Sequence, residues 1–258
     1  MTLNGLYRKF HRPAFLRNDP LVLVHSFKGP ENIETAGLVA AALAYGRVEQ
    51  IKKSLETVFK ITGPEIARFA GSGSLEDKRK AFAGFKHRFN DGDDLALLFE
   101  AIRMIRKEHG SLGKFFFAGF RNQHQDIGPA LHLFSSGFLK IAREAWGKRK
   151  KSFEFLFPSP ESGSACKRLN LYLRWMVRKA DGVDFGLWKG IPTSKLVVPV
   201  DTHVAACGRK LMLTQRKSAD WGMASEITES LRKYDAEDPV KYDFAICSAG
   251  KLAFRDKK

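Results

Sequence analysis

The chain of 258 residues is 44% hydrophobic and 12% aromatic, and it carries a formal net charge of +16. This apolar content is enough for a substantial core in one large domain or two small ones, as in a globular protein. No stretch reaches the roughly 18 uncharged apolar residues of a membrane helix, and the opening segment MTLNGLYRKFHRP lacks the apolar core of a signal peptide, so we expect a cytoplasmic protein with no membrane contact.

Residues 31 to 60 have the spacing of buried helical faces. Apolar side chains recur from Ala36 to Val48 and continue through Phe59, which predicts one or two helices. Gly46 lies within this run and indicates a break or a close approach between helices. Arg47 follows it, and the residues alone make it an ordinary surface arginine.

The middle of the chain continues the helical pattern. The acidic segment 91–94 can cap a helix whose apolar stripe runs from Leu95 to Ile105. Residues 110 to 147 are rich in phenylalanine, which we interpret as core. Aromatic rings can also hold a base that has been rotated out of a duplex, but the sequence singles out none of them for that role.

Basic residues are concentrated between Lys140 and Ala180, where 11 basic and 3 acidic side chains give a net charge of +8. Such an excess suits a partner covered in phosphates, and both nucleic acids and membrane surfaces meet that description. Within this region, the run from Gly147 to Lys151 is typical of a solvated loop. Lys150 in this run is a predicted contact to a nucleic-acid backbone.

The stretch from Ala165 to Arg178 has the apolar spacing of one helix, and Lys167, Arg174 and Arg178 fall together on another face. The loop Ser162-Gly163-Ser164 precedes this helix. A loop and a helix start of this kind can hold a phosphate, because the first N–H groups of a helix lack partners within it. The alternative is a solvated basic face.

Asp201 stands where a further helix is predicted to begin, in the segment PVDTHV. An aspartate at that place is usually a cap that accepts hydrogen bonds from the first turn. A carboxylate held there can also act as a base or stabilise a developing positive charge. The residues alone favour the cap.

The pattern stays helical after Asp201, with helix starts predicted at Ser218 or Asp220 and at Asp238. No run of alternating strand residues is found, so the predicted fold class is all-α, with roughly ten to thirteen helices. The three cysteines are too scattered for a disulfide framework or an iron–sulfur cluster. We therefore expect buried thiols, no metal and no cofactor.

Two resemblances extend this interpretation. The segment VPVDTHVAACGRKL resembles the one that carries the catalytic aspartate in the helix-hairpin-helix DNA glycosylases, the superfamily of endonuclease III and 8-oxoguanine glycosylase. Over its whole length, the chain also resembles a bacterial family of conserved proteins of unknown function, through segments that include DPLVLVHSF, SPESGSACKRLNLYLRWMVR and EDPVKYDFAICSAG. The usual glycosylase hairpin loop is replaced here by FPSPESGSAC. Asp201 lies 34 positions after Lys167, which predicts an added loop around Lys179 to Lys195.

The glycosylase resemblance implies a two-lobed helical bundle over residues 1–258, with the hairpin and the catalytic aspartate at about 140–215. It implies a DNA repair glycosylase, with or without abasic-site lyase activity, in which Lys167 and Asp201 are catalytic and duplex DNA is the partner. A nucleic-acid-binding protein that keeps this fold without catalysis is the alternative. The predicted nucleic-acid contacts are Ser162, Gly163, Ser164, Arg168, Arg174, Arg178, Arg47 and Lys150.

Overall fold

The structure is a computed structural model, and it describes residues 2–255, with side chains over residues 2–17 and 19–249. Its internal contacts divide these residues into two compact units. We call residues 2–17, 121–129 and 159–255 the terminal unit, and residues 18–120 and 130–158 the central unit. The prediction of one glycosylase-like bundle over the whole chain stays a prediction.

The described residues form 14 α-helices and one two-stranded antiparallel sheet, which confirms the all-α class. In chain order the helices are α1 (Leu3–Phe10), α2 (Leu21–Val24), α3 (Pro30–Ala42), α4 (Val48–Thr62), α5 (Ile66–Gly71), α6 (Leu75–Ala81), α7 (Gly92–His109), α8 (Leu112–Gly119), α9 (Gly128–Trp146), α10 (Lys151–Glu154), α11 (Lys167–Val177), α12 (Thr202–Lys210), α13 (Trp221–Arg232) and α14 (Asp243–Arg255). The strands are β1 (Lys86–His87) and β2 (Asn90–Asp91). Short 3₁₀ helices span Pro13–Asn18, Pro160–Ser162, Thr193–Lys195 and Pro239–Tyr242.

Helix α7 is the buried helix of the central unit, and the sequence around its start explains where it begins. The Asp91 carboxylate accepts a hydrogen bond from the Asp94 N–H at 3.1 Å, and the Asp94 carboxylate accepts one from the Asp91 N–H at 3.0 Å. This reciprocal arrangement satisfies two N–H groups at the helix start. The predicted cap is therefore confirmed, and the apolar stripe from Leu95 to Ile105 is buried.

In the terminal unit, α11 forms as predicted and buries Leu169, Tyr172 and Met176. A segment without helix follows from Arg178 to Pro192, and Trp188 in this segment packs edge-on against Tyr172 at 5.2 Å between ring centroids. The segment predicted as a loop around Lys179 to Lys195 therefore has no α-helix and ends in the 3₁₀ helix Thr193–Lys195. Helices α1 and α12 both pack against α14.

Within the part of the chain that the structure describes, no helix combines the length and apolar character needed to cross a bilayer.

Candidate functional site

Lys167 is the first residue of α11, and the chain turns sharply just before it. Gly163 has a φ of +77°, and Cys166, at the residue preceding the helix, has a φ of +47°. A side-chain-bearing residue rarely adopts this left-handed conformation, so the backbone before Lys167 is strained. The Cys166 side chain makes no capping bond to the helix.

Asp201 caps α12, as the sequence predicts. Its Oδ1 atom accepts hydrogen bonds from the N–H groups of His203 and Val204, at 2.9 and 2.8 Å. The apolar residues from Leu196 to Val200 that lead into this cap are buried. The position of the carboxylate is therefore fixed by the helix start and by the core.

The structure brings Lys167 and Asp201 together. The Lys167 Nζ atom lies 3.5 Å from the Asp201 Oδ2 atom, which is the oxygen that is not used by the cap. The two side chains are 31% and 20% exposed, so solvent reaches both of them. The structure therefore places an amine and a carboxylate together at one accessible point of the terminal unit.

The loop before α11 is tied to the start of α13. The Gly163 carbonyl accepts a hydrogen bond from the Trp221 N–H at 3.0 Å, and Ser164 forms an isolated bridge with Asp220. Ser162 and Gly163 remain exposed. These two predicted phosphate contacts therefore lie on the surface, at the chain segment that leads to Lys167.

The basic face predicted on α11 does not exist on the surface, because Arg174 and Arg178 are buried. Arg168 is 7% exposed and is also buried. The sequence pattern placed these cations on a common face, but carboxylates from other parts of the terminal unit cover that face. Among the predicted cations of α11, Lys167 is the one that solvent reaches.

The buried arginines hold a network of carboxylates. Arg174 donates to Asp184 at 3.2 Å and to Asp243 at 2.5 Å. Arg178 bonds to the same Asp184, and also to Asp181 at 3.2 Å and Asp238 at 2.9 Å. The arginines thereby connect α11 to the loop after it, to the 3₁₀ turn before α14 and to α14 itself.

The network sets the ionisation of its members. Burial alone would lower the pKa of Arg178, but the surrounding carboxylates raise it further above its ordinary value. Burial would raise the pKa of Asp181. A bond from His11 at 2.8 Å, the Asp184 N–H and the Arg178 charge together hold the Asp181 pKa well below its usual range. Both groups are therefore charged at neutral pH.

Asp243 interacts electrostatically with Asp201 of the Lys167–Asp201 pair. Burial raises the pKa of Asp243 to about 6, Arg174 opposes the shift, and the negative charge of Asp201 adds to it. Sequence reasoning missed this residue, as it missed Asp184. Both are ordinary aspartates in the sequence, and only the ion pairs with Arg174 reveal them.

The His11, Asp181 and Asp184 ligand atoms lie within 4.8 Å of one another, which is close enough for a metal ion. Both carboxylates already bond to Arg178, however, so we interpret this group as part of the structural network. Among the cysteines, burial raises the pKa of Cys166 to about 12, which makes that thiol unreactive.

The two predicted contacts in the central unit differ in exposure. Arg47 is exposed at the residue preceding α4. Lys150 is not available to a phosphate, because its ammonium bonds to Asp91 at 2.9 Å and to Asp94 at 2.7 Å. The predicted role of Lys150 is therefore replaced by a structural one, which holds the start of α7.

The fold and the site define an all-α protein with an accessible lysine–aspartate pair. The chain belongs to the family described as Protein of unknown function (DUF2400), whose family model matches residues 19–252. No curated protein and no solved structure matches the chain. The family match carries no link to the helix-hairpin-helix glycosylases, so that resemblance stays a prediction.

Proposed function

We propose that this protein is a DNA repair glycosylase that removes a damaged or mispaired base, with Lys167 and Asp201 as its catalytic residues. The observation that carries the proposal is the 3.5 Å separation of the Lys167 amine and the free oxygen of Asp201. These residues lie 34 positions apart in the chain, and each stands at the start of a different helix. Both side chains are reached by solvent, as a site for a large substrate requires.

In the proposed reaction, the target nucleotide rotates out of the duplex so that its sugar reaches the pair. Lys167 first gives up a proton to solvent, and its neutral amine attacks C1′ and forms a carbon–nitrogen bond. The glycosidic bond breaks, and the base leaves with its electron pair and takes up the proton that the nitrogen loses. The Asp201 carboxylate stabilises the positive charge that develops on the sugar. The nitrogen lone pair then forms a second bond to C1′ while the C1′–O4′ bond breaks and O4′ gains a proton from solvent, which gives a protonated Schiff base. Loss of a C2′ proton and departure of the 3′ phosphate can then break the strand.

If water attacks C1′ instead, the base is released and no covalent adduct forms. Lys167 then acts only through its charge and its contacts. Both routes use Asp201 in the same way, so base release tests Asp201 and covalent trapping tests Lys167.

The charge of the chain supports a polyanionic partner. A net charge of +16 attracts phosphates, and Lys148 and Lys151 are exposed on the central unit. In the terminal unit, Ser162 and Gly163 are exposed beside the segment that ends at Lys167. Their N–H groups donate to the carbonyls of Ser159 and Pro160, at 3.2 and 2.8 Å, and the Ser162 hydroxyl donates to the Ser159 carbonyl at 2.7 Å, so a phosphate contact there requires these bonds to be exchanged.

The second candidate is a nucleic-acid-binding protein without catalysis. The specific observation that favours it is the segment FPSPESGSAC, which replaces the glycosylase hairpin loop and here forms a 3₁₀ turn tied to α13. In this alternative, the Lys167–Asp201 pair only fixes the two helix starts.

The test is borohydride trapping of the purified protein on duplexes that carry 8-oxoguanine, uracil, an oxidised pyrimidine or an abasic site. Lys167→Ala should abolish a covalent adduct, and Asp201→Asn should slow base release by a factor of 100 or more, on the order of what loss of one charge-stabilising group causes. Lys179→Ala, which removes another exposed lysine of the terminal unit, is the matched control and should trap as the wild type does.

An adduct that persists in Lys167→Ala would remove Lys167 as the nucleophile. Base release without any adduct would favour the water route. Salt-sensitive duplex binding with neither adduct nor base release on any of the duplexes would refute the glycosylase and support the binding protein.

A further inference from the structure

Three aromatic side chains meet at the surface of the central unit. The rings of Tyr45 and Phe89 are nearly parallel, at 6.1 Å between centroids, and Phe155 stands edge-on to both, at 4.9 Å from Tyr45 and 5.4 Å from Phe89. Phe89 is 57% exposed and Phe155 is 41% exposed. We call Tyr45, Phe89 and Phe155 the aromatic platform.

The platform is displayed on a strained hairpin. His87 pairs with Asn90 across β1 and β2, so the connecting loop consists of Arg88 and Phe89 alone. Arg88 has a φ of +53°. Two-residue hairpin loops need this conformation and normally use glycine or asparagine for it. The chain instead has an arginine in a strained conformation followed by an exposed phenylalanine.

The base of the hairpin is rigid. The Tyr45 hydroxyl bonds to the His87 carbonyl at 2.9 Å and to the Asn90 Oδ1 atom at 2.5 Å. The buried Asn90 also donates to the Ser152 carbonyl at 2.7 Å, which ties the hairpin to the segment that leads to Phe155. The exposed rings are therefore held in place before any ligand arrives, so their ordering adds little to the free-energy cost of binding.

Cations lie beside the platform. The guanidinium of Arg88 lies 5.3 Å from the centroid of the Phe89 ring, and its stem covers Gly46, where an added Cβ would lie 3.0 Å from Arg88 Cδ. The exposed Arg47 follows Gly46 in the chain. The exposed Lys151 stands one turn before Phe155, whose N–H bonds to the Lys151 carbonyl at 3.1 Å.

The geometry points to a site that stacks an unpaired nucleobase on Phe89, with the Phe155 ring edge-on beside it and with Arg88 and Lys151 on the adjoining phosphates. Exposed aromatic rings interleaved with cations are how proteins hold unstacked bases, because every base has an aromatic face and every nucleotide a phosphate. An apolar peptide would use the rings but would leave these cations without a partner. The inference rests on the nucleic-acid partner proposed above and not on the chemistry at Lys167.

The test measures binding to fluorescein-labelled duplexes that are either fully paired or carry one bulged 2-aminopurine. Phe89→Ala should weaken binding to the bulged duplex by about 10-fold, the size of one lost base–aromatic stack, and Phe155→Ala should weaken it by a smaller factor. Both variants should change binding to the paired duplex much less. Phe89→Leu keeps an apolar side chain without the ring and should weaken binding almost as much. Phe117→Ala, which removes another half-exposed phenylalanine of the central unit, should change nothing, because Phe117 is 47% exposed but lies outside the platform.

Stacking should also quench the 2-aminopurine fluorescence in the wild type and not in Phe89→Ala. Unchanged affinity and unchanged quenching in both alanine variants would overturn the inference. Wild-type affinity of Phe89→Leu for the bulged duplex would also overturn it, because it would show a hydrophobic contact rather than a stack. Because this assay needs no catalysis, a platform that binds in the absence of any borohydride adduct would leave the inference standing while the proposed glycosylase fails. If the wild type binds neither duplex, both the base-stacking role of the platform and the proposed nucleic-acid partner are refuted.

Discussion

Replacing Arg178 with methionine tests whether the buried charge network stabilises the terminal unit. The side chain of Arg178 is 1% exposed, and its guanidinium bonds to Asp181, Asp184 and Asp238. Methionine keeps much of the apolar stem and removes the charge. Removing one partner of a buried ion pair leaves the other partner charged and desolvated, which costs about 3–5 kcal/mol.

The structure places the expected loss near the middle of that range. Asp184 keeps Arg174 as a partner after the substitution, whereas Asp181 and Asp238 lose the guanidinium that they share. Solvent reaches these two carboxylates in part, which moderates the penalty. We therefore expect a loss of about 4 kcal/mol in the free energy of unfolding at neutral pH.

Urea denaturation followed by tryptophan fluorescence measures this loss, because Trp175 and Trp188 lie on α11 and on the loop that packs against it. The control is Arg232→Met, which breaks an exposed pair with Glu229 at 3.1 Å and should cost less than about 1 kcal/mol.

The pH dependence supplies a second check. In the wild type, His11, the Asp184 N–H and Arg178 outweigh burial and hold the Asp181 pKa below its unfolded value, so Asp181 stabilises the fold above that value and loses the contribution as pH falls. Arg178→Met has less of this stabilisation to lose, so the difference in unfolding free energy between the wild type and the variant should become smaller as the pH falls. A difference below about 1 kcal/mol at neutral pH, or one that widens as pH falls, would refute the reasoning.

Three further predictions follow from single side chains. Burial raises the pKa of Asp243 from 3.8 to about 6 in the folded protein, so the contribution of this group to stability is complete below about pH 4 and is lost as the pH rises to about 6. The free energy of unfolding should fall by up to ~3 kcal/mol over this range. Asp243→Asn should remove this fall from a plot of unfolding free energy against pH. Asp201→Ala should lower the melting temperature through a cap loss of about 1 kcal/mol and Asp201→Asn much less, since asparagine also caps; equal losses would show that the ion pair with Lys167 matters more than the cap. Cys166→Ser should leave the number of thiols that a reagent labels in the native protein unchanged, because burial raises the Cys166 pKa to about 12. A number of labelled thiols that falls by one would show that the Cys166 thiol is accessible.

The helices of this protein follow from local sequence. The apolar stripe of α11, the acidic cap of α7 and the aspartate at the start of α12 all act over a few residues, so the pattern alone predicts them. The loop after α11 is predicted in another way, from the 34 positions that separate Lys167 from Asp201. Local order of this kind positions Asp201, and it positions Lys167 at a helix start.

The arginines of α11 show where local reasoning stops. A helical pattern tells which side chains share a face but not what covers that face. The carboxylates that cover Arg174 and Arg178 include Asp243 and Asp238, which lie 69 and 60 positions away in the chain. The arginines that the sequence places on a basic face therefore form a buried network in the structure. The surface of α11 that remains for phosphates is smaller than the sequence predicts.

The aromatic platform could not be predicted from the sequence either. Strands of two residues are too short to show alternation, and Phe89 looks like any other phenylalanine in a chain with 21 of them. Only the hairpin conformation shows that this ring is exposed and that Tyr45 and Phe155 lie next to it.

The charges around the lysine–aspartate pair bear on which proposed role Lys167 has. Asp201 acts electrostatically on Asp243, which pairs with Arg174, and Arg174 shares Asp184 with Arg178. Along this connected path of described residues, five aspartates lie with one lysine and two arginines, so the side chains of the path carry more negative than positive charge although the chain as a whole carries +16. A phosphate-binding site would need the opposite balance. A site that stabilises positive charge on a sugar needs this one, with the basic remainder of the protein to hold the backbone. Asp243→Asn should accordingly slow base release while duplex affinity stays unchanged, whereas a phosphate contact at Lys167 would make the same variant bind more tightly.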